Sequence, residues 1–312
     1  MTDKKLLAYR KNDGLGDWIM AMSVLKMVNL QYPNIDIHVY AENTNVDEET
    51  AEFHEILEDG KVVITVATVG KGDNHRQKRF INVVYDIIDN MDVNLTRVLH
   101  AEPSEYDYYS KHMIYFEFQA EWNSLYPEVP KDYIRNHLIH GMVKKFNEET
   151  KLNLKYDKNV LARYKNIVPF GGQKPYVVIP SCGRDDRKKG QQDTKAWGTD
   201  NYKELAARLR KHYYIVQVGS NDQPVIKDVD QVIVDQPFSE VLGVMKEAEF
   251  YVGEINGLVH LAGHHAIKTY AIYCGGKEHP DFTGYKNQIP IMENNASVDM
   301  VYSKIIEEEA HD

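Results

Sequence analysis

The sequence predicts an α/β fold with a parallel sheet in each half of the chain, and three observations carry that expectation. The opening stretch reads strand, glycine turn, helix and strand, which is a βαβ unit. From Tyr176 onward the strand–loop–helix rhythm repeats several times. The chain has 312 residues, 43% of them hydrophobic, with 21 Tyr and 9 Phe, enough to build one large core or two smaller ones.

In the first half, Leu6 to Tyr9 form the first strand, and Asn12-Asp13-Gly14-Leu15-Gly16 turns the chain. Ile19, Met22, Val24, Leu25 and Val28 fall on helical spacing from Asp17, and Tyr32-Pro33 ends that helix. Ile35, Ile37 and Val39 alternate with polar residues as a second strand. Asp17 has two readings. It is a carboxylate facing a cleft at the end of the first strand, able to act as a base, or it is a capping acid of the helix's first turn. Lys11 and Asn12 line the same edge as candidate acceptor contacts. Gly14 and Gly16 do not make a dinucleotide fingerprint, because Ile19 stands where the third glycine of GxGxxG would be.

Val62 to Val66 reads as a strand, the polar stretch from Gly70 to Arg79 as a loop, and Phe80 to Ile88 as a buried strand or mixed segment. Tyr106, Tyr108, Tyr109 and the run from Met113 to Phe118 concentrate aromatic surface. These rings either line an acceptor groove, Tyr108 among them, or pack in a core. A helix is expected over Ile134 to Phe146, and the weakly patterned stretch from Lys151 to Lys174 is the best domain junction.

In the second half, Tyr176 to Ile179 is a short apolar strand. The loop after it carries Ser181, Arg184, Lys188, Lys189 and Lys195 before Trp197, and is either a phosphate-holding loop or a solvated basic one. Trp197 is suited to packing the loop onto the fold. A helix from Asn201 buries Leu205, Ala206 and Leu209, and the next strand, through Tyr214, Val216 and Val218, ends at Gly219, a further candidate donor contact. Val232 to Val234, a helix with Val241, Leu242 and Met245, and a strand at Phe250 to Val252 follow. The sharpest local segment is Gly253 to Gly263, a strand end turning into a helix whose start suits phosphate. Glu254, Asn256, Gly257 and His260 are its candidate donor contacts, with an interior hydrogen-bonded role as the other reading of His260. Ile267 to Tyr273 is a further strand, Cys274 to Pro280 a loop, and Ser297 to Glu309 a terminal helix.

Composition excludes several classes. With 37 basic and 47 acidic residues the net charge is −10, so nucleic acid is an unsuitable partner and membrane contact is peripheral at most. Cys182 and Cys274 make neither a disulfide framework nor a CxxC site. His260, His264 and His265 are close together, but the His260/His264 pair lacks a third ligand of metal-binding spacing and HExxH is absent, so no metal or other cofactor is expected. GxSxG and Walker A motifs are missing. The N-terminus has no signal-peptide apolar core and no apolar run spans a bilayer, which points to the cytoplasm.

Three stretches resemble the heptosyltransferase family. Leu15-Gly16-Asp17, its helix and Tyr32-Pro33 resemble the opening pattern of that family. Lys195-Ala196-Trp197, followed by Asn201-Tyr202 and Leu205, is similar to its K-x-W segment. Gly253 to Ala262 followed by Ala271-Ile272-Tyr273 is similar to its G-x-x-x-G-x-x-H-L-A segment and next strand. The resemblance implies a GT-B architecture of two Rossmann-like domains with parallel sheets facing a central cleft. Residues 1–168 would bind the acceptor and 169–296 the nucleotide sugar, with 297–312 a terminal helix returning to the first domain.

The implied activity is inverting, metal-independent transfer of a sugar from a nucleoside-diphosphate sugar to a glycan or other hydroxyl acceptor. Asp17 would be the base, Lys195 would hold donor phosphates, and the helix from Gly257 would support the diphosphate. The sequence departs from the family where Ile255 replaces an Asp and Asn256 a Ser or Thr. A non-catalytic nucleotide- or glycan-binding relative and a nucleotide-sugar epimerase of the same fold are the alternatives.

Overall fold

The structure, a computed structural model, describes residues 5–11, 15–42, 86–97, 114–117, 137–172, 175–181, 196–220, 223–274, 280–292 and 296–310. Contacts divide the chain into two units, the first Met1–Val129 with Leu138–Lys165, the second Pro130–His137 with Asn166–Asp312. Where the sequence places its junction at 168/169, this division falls at Lys165/Asn166.

The first unit is built on β1 (Lys5–Lys11), α1 (Leu15–Gln31), β2 (Asp36–Glu42), β3 (Thr96–Arg97) and β4 (Ile114–Glu117). Its described strands are ordered β3-β2-β1-β4 and every pairing is parallel. The α1 sequence is apolar on all sides, so nearly everything from Trp18 to Val28 is buried and the helix is a core element. Against it packs α2 (Leu138–Thr150), which buries Leu138, Ile139, Met142, Val143 and Phe146 along one face.

The weakly patterned stretch after α2 is tied down by polar groups in place of regular structure. Ser23 accepts the Ala162 N–H at 2.9 Å, and Lys26 donates to the Leu161 carbonyl at 3.1 Å. The Asp92 carboxylate accepts from Arg163 N–H at 2.6 Å and pairs with Lys26. A single antiparallel bridge joins Met91 and Tyr164. One reading is sharpened here: residues 86–88, the described end of the segment read as buried strand or mixed, open a short helix that runs on to residue 90. Ile87, Ile88 and Met91 are all buried, a spacing that suits one helical face. The expected strand at Val62 to Val66, the loop from Gly70 to Arg79, and Tyr106, Tyr108 and Tyr109 lie outside the described residues.

The second unit comprises β5 (Tyr176–Pro180), α3 (Thr199–Leu209), β6 (Tyr214–Gly219), β7 (Gln231–Val234), α4 (Phe238–Glu247) and β8 (Tyr251–Glu254). It continues with α5 (Gly257–His264), β9 (Thr269–Tyr273), α6 (Pro280–Thr283), β10 (Gln288–Met292) and α7 (Val298–Glu309). The six strands are ordered β10-β9-β8-β5-β6-β7, all parallel. From β5 the chain steps outward to β6 and β7, then returns past β5 to β8 and continues the other way. The order therefore reverses between β5 and β8, the topological switch point where open α/β sheets bind ligands.

The inner strands β5 and β9 are continuous buried runs, as strands covered on both faces require. Val177, Ile179, Leu205, Leu209, Val252 and Ile272 form the centre of one core. The terminal helix α7, for which the resemblance implied a return to the first domain, places Val298, Val301 and Ile305 in this core. The sequence reading missed β10, because Pro290 interrupts its pattern; at the outer end of the sheet order a proline is tolerated.

Residues Val168 to Gly171 lie along α4. Val168 N–H donates to the Ser239 carbonyl at 3.1 Å, and the Glu247 carboxylate accepts from Phe170 N–H at 3.1 Å and Gly171 N–H at 3.2 Å. Between these two attachments sits Gly243, where the chain passes closest to the helix. No described helix is long and apolar enough to cross a membrane.

Candidate functional site

The switch point of the six-stranded sheet brings together the ends of β5 and β8, and so the segments that hold Ser181, Glu254, Asn256, Gly257 and His260. Ser181 is buried, extending the β5–β6 pairing with a 2.7 Å bond from its N–H to the Val218 carbonyl. Its hydroxyl accepts from the Nε2 of Gln217 at 2.7 Å. Gln217, fully buried in β6, also donates to the Pro224 carbonyl at 2.9 Å and accepts from Ile226 N–H at 2.8 Å. This side chain ties the end of β5 to the loop after β6. Gly219 makes room for the arrangement, since a Cβ there would come within 2.2 Å of the Ser181 hydroxyl.

Glu254 is the last residue of β8 and is buried. Its Oε2 accepts from Trp197 N–H at 3.0 Å and from the Tyr202 hydroxyl at 3.2 Å, while its own N–H donates to that hydroxyl at 3.0 Å. Trp197 is held through every polar group it has. Its carbonyl accepts from Asn201 at 2.6 Å, its indole N–H donates to the Ala296 carbonyl at 2.6 Å, and its ring meets Tyr202 edge-on. Glu254 therefore anchors the chain where it enters α3. Burial, with the negative charge of Glu254 next in importance, pushes the Tyr251 phenol far above its ordinary range, so this neighbouring hydroxyl stays protonated.

Removal of the Glu254 carboxylate leaves two enclosed donors, Trp197 N–H and Tyr202 O–H, without it. Glu254→Ala is expected to cost about 2 kcal/mol in urea unfolding, whereas Glu254→Gln, which keeps an acceptor oxygen, loses less than half of that. Equal losses in the two variants would show that the charge, and not the acceptor geometry, is what the site needs.

Asn256 caps α5: its Oδ1 accepts from Leu258 N–H at 2.9 Å and Val259 N–H at 3.2 Å. The cap occupies two of the first-turn donors and leaves that of Gly257 for other partners. His260, the fourth residue of the helix, is buried and has its Nδ1 at 2.9 Å from the Tyr285 hydroxyl. Burial holds the nearby His137 imidazole down at about 4, so it is neutral at ordinary pH.

In the first unit, Lys11 is the last residue of β1, and Asp17 is a partly buried acid in the first turn of α1. Both stand at the carboxyl end of β1, beside which β2 and β4 lie. The position suits a base and suits an acid that stabilises exposed N–H groups. Asn12, Tyr108, Arg184 and Lys195 lie outside the described residues. Gln217, Tyr202 and Tyr285 were not singled out as site residues from sequence. Gln217 carried a local signal, as a lone amide inside the apolar run from Tyr214 to Val218, and Tyr202 stands in the stretch that resembles the K-x-W segment. No group of three His, Cys, Asp or Glu among the described residues is arranged to hold a metal ion.

No protein-family description matches the chain, and no curated protein matches it. Solved structures do. The Escherichia coli heptosyltransferase WaaC with ADP aligns over 98% of this chain and 99% of its own, at 12% identity and a TM-score of 0.56. Escherichia coli ADP-heptose LPS heptosyltransferase II aligns over 97% and 99%, at 12% identity and a TM-score of 0.58. A family 9 glycosyltransferase from Veillonella parvula aligns over 100% and 98%, at 10% identity and a TM-score of 0.59. The chain thus has the α/β fold of the heptosyltransferases and of the family 9 glycosyltransferase.

Proposed function

We propose that the protein is an inverting, metal-independent glycosyltransferase that moves a sugar from a nucleoside-diphosphate sugar to a glycan or other hydroxyl acceptor. The observation that carries this reading is the switch point between β5 and β8, with the start of α5 beside it. Open α/β sheets take up ligands at such a reversal, and a helix start there favours an anion. A bound phosphate meets Gly257 N–H and cationic side chains, because Asn256 already occupies the next two donors. The Escherichia coli structure of the same fold was solved with ADP, a ligand of this chemistry.

In this reading Lys195 and Arg184 hold the diphosphate, with His260 beside them. Asp17 takes the proton of the acceptor hydroxyl as that oxygen attacks the anomeric carbon, and the nucleoside diphosphate departs with the electron pair of the broken bond. Lys11, Asn12 and Tyr108 contact the acceptor. Glu254, Ser181 and Gly219 shape the donor site from beneath, since their side chains or bare Cα face protein groups. Reaction in the cytoplasm, with at most peripheral contact to a membrane, belongs to the same proposal.

The test is binding of a panel of nucleoside diphosphates and nucleotide sugars, without added metal, to the wild type and to Lys195→Ala. Selective binding that weakens by roughly ten- to a hundredfold in the variant is the expected outcome, the value of a charge-assisted phosphate bond. Absence of binding across the panel would sink the donor assignment. A second reading, a non-catalytic relative that binds nucleotide or glycan, is favoured by the enclosed Ile255 at the end of β8.

A further inference from the structure

The two ends of the six-stranded sheet are built differently. At one end β10 carries Pro290, which has no N–H to offer and blunts that edge. At the other end β7 reads Gln-Val-Ile-Val, without proline or charge, and among the described residues it pairs with β6 alone. The direction of its main-chain groups follows from the register. Ser181 N–H bonds to the Val218 carbonyl at 2.7 Å, so Val218 faces β5 and its neighbour Gln217 faces β7. Gln217 lies opposite Val232, and in a parallel ladder it therefore bonds to the residues on either side, Gln231 and Ile233. The main-chain groups of Val232 and Val234 point outward. The Val234 carbonyl accepts from the Gln236 side chain at 3.2 Å, which leaves both valine N–H groups and the Val232 carbonyl to other partners.

Beside this edge lies a groove of about 470 Å³. Val168, Pro169 and Phe170 form one wall, and β7 with Glu240 and Val244 of α4 forms the rest. Five large apolar residues are exposed among those described, and two of them, Val168 at 47% and Val232 at 37%, line this one groove. Its single charged lining residue is Glu240, whose carboxylate has no ion pair or hydrogen bond among the described residues. An apolar groove along an open strand edge suits an extended peptide: main-chain bonds hold the strand, and alternate side chains enter the groove. A second copy of this chain is a poor occupant. Its own β7 is flanked by Asp230 and Asp235, so it brings acid to an acidic groove and no cation to Glu240.

We infer that the β7 edge is a docking site for an extended segment of another protein, with apolar residues at alternate positions and a lysine or arginine on the same face. The segment lies beside β7 as a further strand, bonded to Val232 and Val234. Its apolar side chains fill the groove, and its cation meets Glu240. The site is two strands away from the switch point and does not depend on the donor reading.

The experiment uses blocked peptides, Thr-Val-Thr-Val-Thr-Lys-Thr and its reverse, Thr-Lys-Thr-Val-Thr-Val-Thr, added to the full chain at millimolar concentration. Amide hydrogen exchange of β7 is followed by NMR, and affinity by titration. The expected result is that one of the two slows exchange at Val232 and Val234. Glu240→Gln should weaken that peptide about two- to fivefold, the worth of a partly exposed ion pair. Glu240→Lys should prefer the same peptide with Glu in place of Lys, which also shows that the variant is folded. If neither peptide slows exchange at the two valines, the inference is overturned. Binding indifferent to the swap of Lys for Glu overturns the cation that it assigns to the partner. Protection of the same amides by self-association, without peptide, gives the edge to a second copy and overturns it as well.

Discussion

Gly243→Ala is expected to destabilise the second unit by roughly 3 kcal/mol or more, although alanine is the better helix former. In an open helix this change gains about 1 kcal/mol. Here the added Cβ would lie 1.7 Å from the Val168 carbonyl oxygen and 2.9 Å from its carbon, both main-chain atoms. No rotamer relieves a clash with backbone, so either α4 or the segment from Val168 to Gly171 has to move. Moving that segment breaks the bonds to Ser239 and Glu247 on either side of the contact. Thermal unfolding should show the transition lowered by roughly 6–12 °C. A raised midpoint would mean that the segment does not lie on α4 in solution.

Asp17→Asn is expected to lower turnover by roughly a thousandfold, within the range for loss of a general base. Asparagine is nearly isosteric with aspartate and keeps an oxygen for the exposed N–H groups of α1, so the helix should persist. The two readings of Asp17 separate cleanly in this variant. A base makes itself felt in the release of nucleoside diphosphate in the presence of acceptor, with donor affinity unchanged. A first-turn acid makes itself felt in stability, by about 0.3–1 kcal/mol, with the rate intact. The variant therefore needs both assays, and a protein that keeps its full rate would favour the non-catalytic reading.

Much of the fold was legible because its strands and helices advertise themselves in pattern. Central strands such as Tyr176 to Pro180 are unbroken apolar runs, and α2 carries its apolar residues along one side. Elements that break the pattern were lost. Pro290 hides β10, and the few residues of 86–90 offer too short a window to separate a helix from a strand. The site was legible as segments and not as partners. Asn256 at the head of a helix can be read locally, because a cap acts within three residues. Glu254 cannot, since its acceptor is spent on Trp197 and Tyr202, over fifty positions away. The same holds for Gln217 with Ser181 and for Tyr285 with His260. Sequence shows that a residue can hydrogen-bond; only the assembled sheet decides with what.

The division of the chain has a consequence for anyone who would cut it. The chain changes unit three times, at Val129/Pro130, His137/Leu138 and Lys165/Asn166. A fragment that starts at residue 166 is therefore not the second unit, for it lacks the eight residues Pro130 to His137 and with them the imidazole that meets the Tyr285 ring edge-on. The complementary fragment, 1–165, holds the whole first unit with those eight residues added to it. A cut at Lys165/Asn166 therefore leaves the second unit incomplete, so the protein is best handled as one piece, with insertions and breaks directed elsewhere.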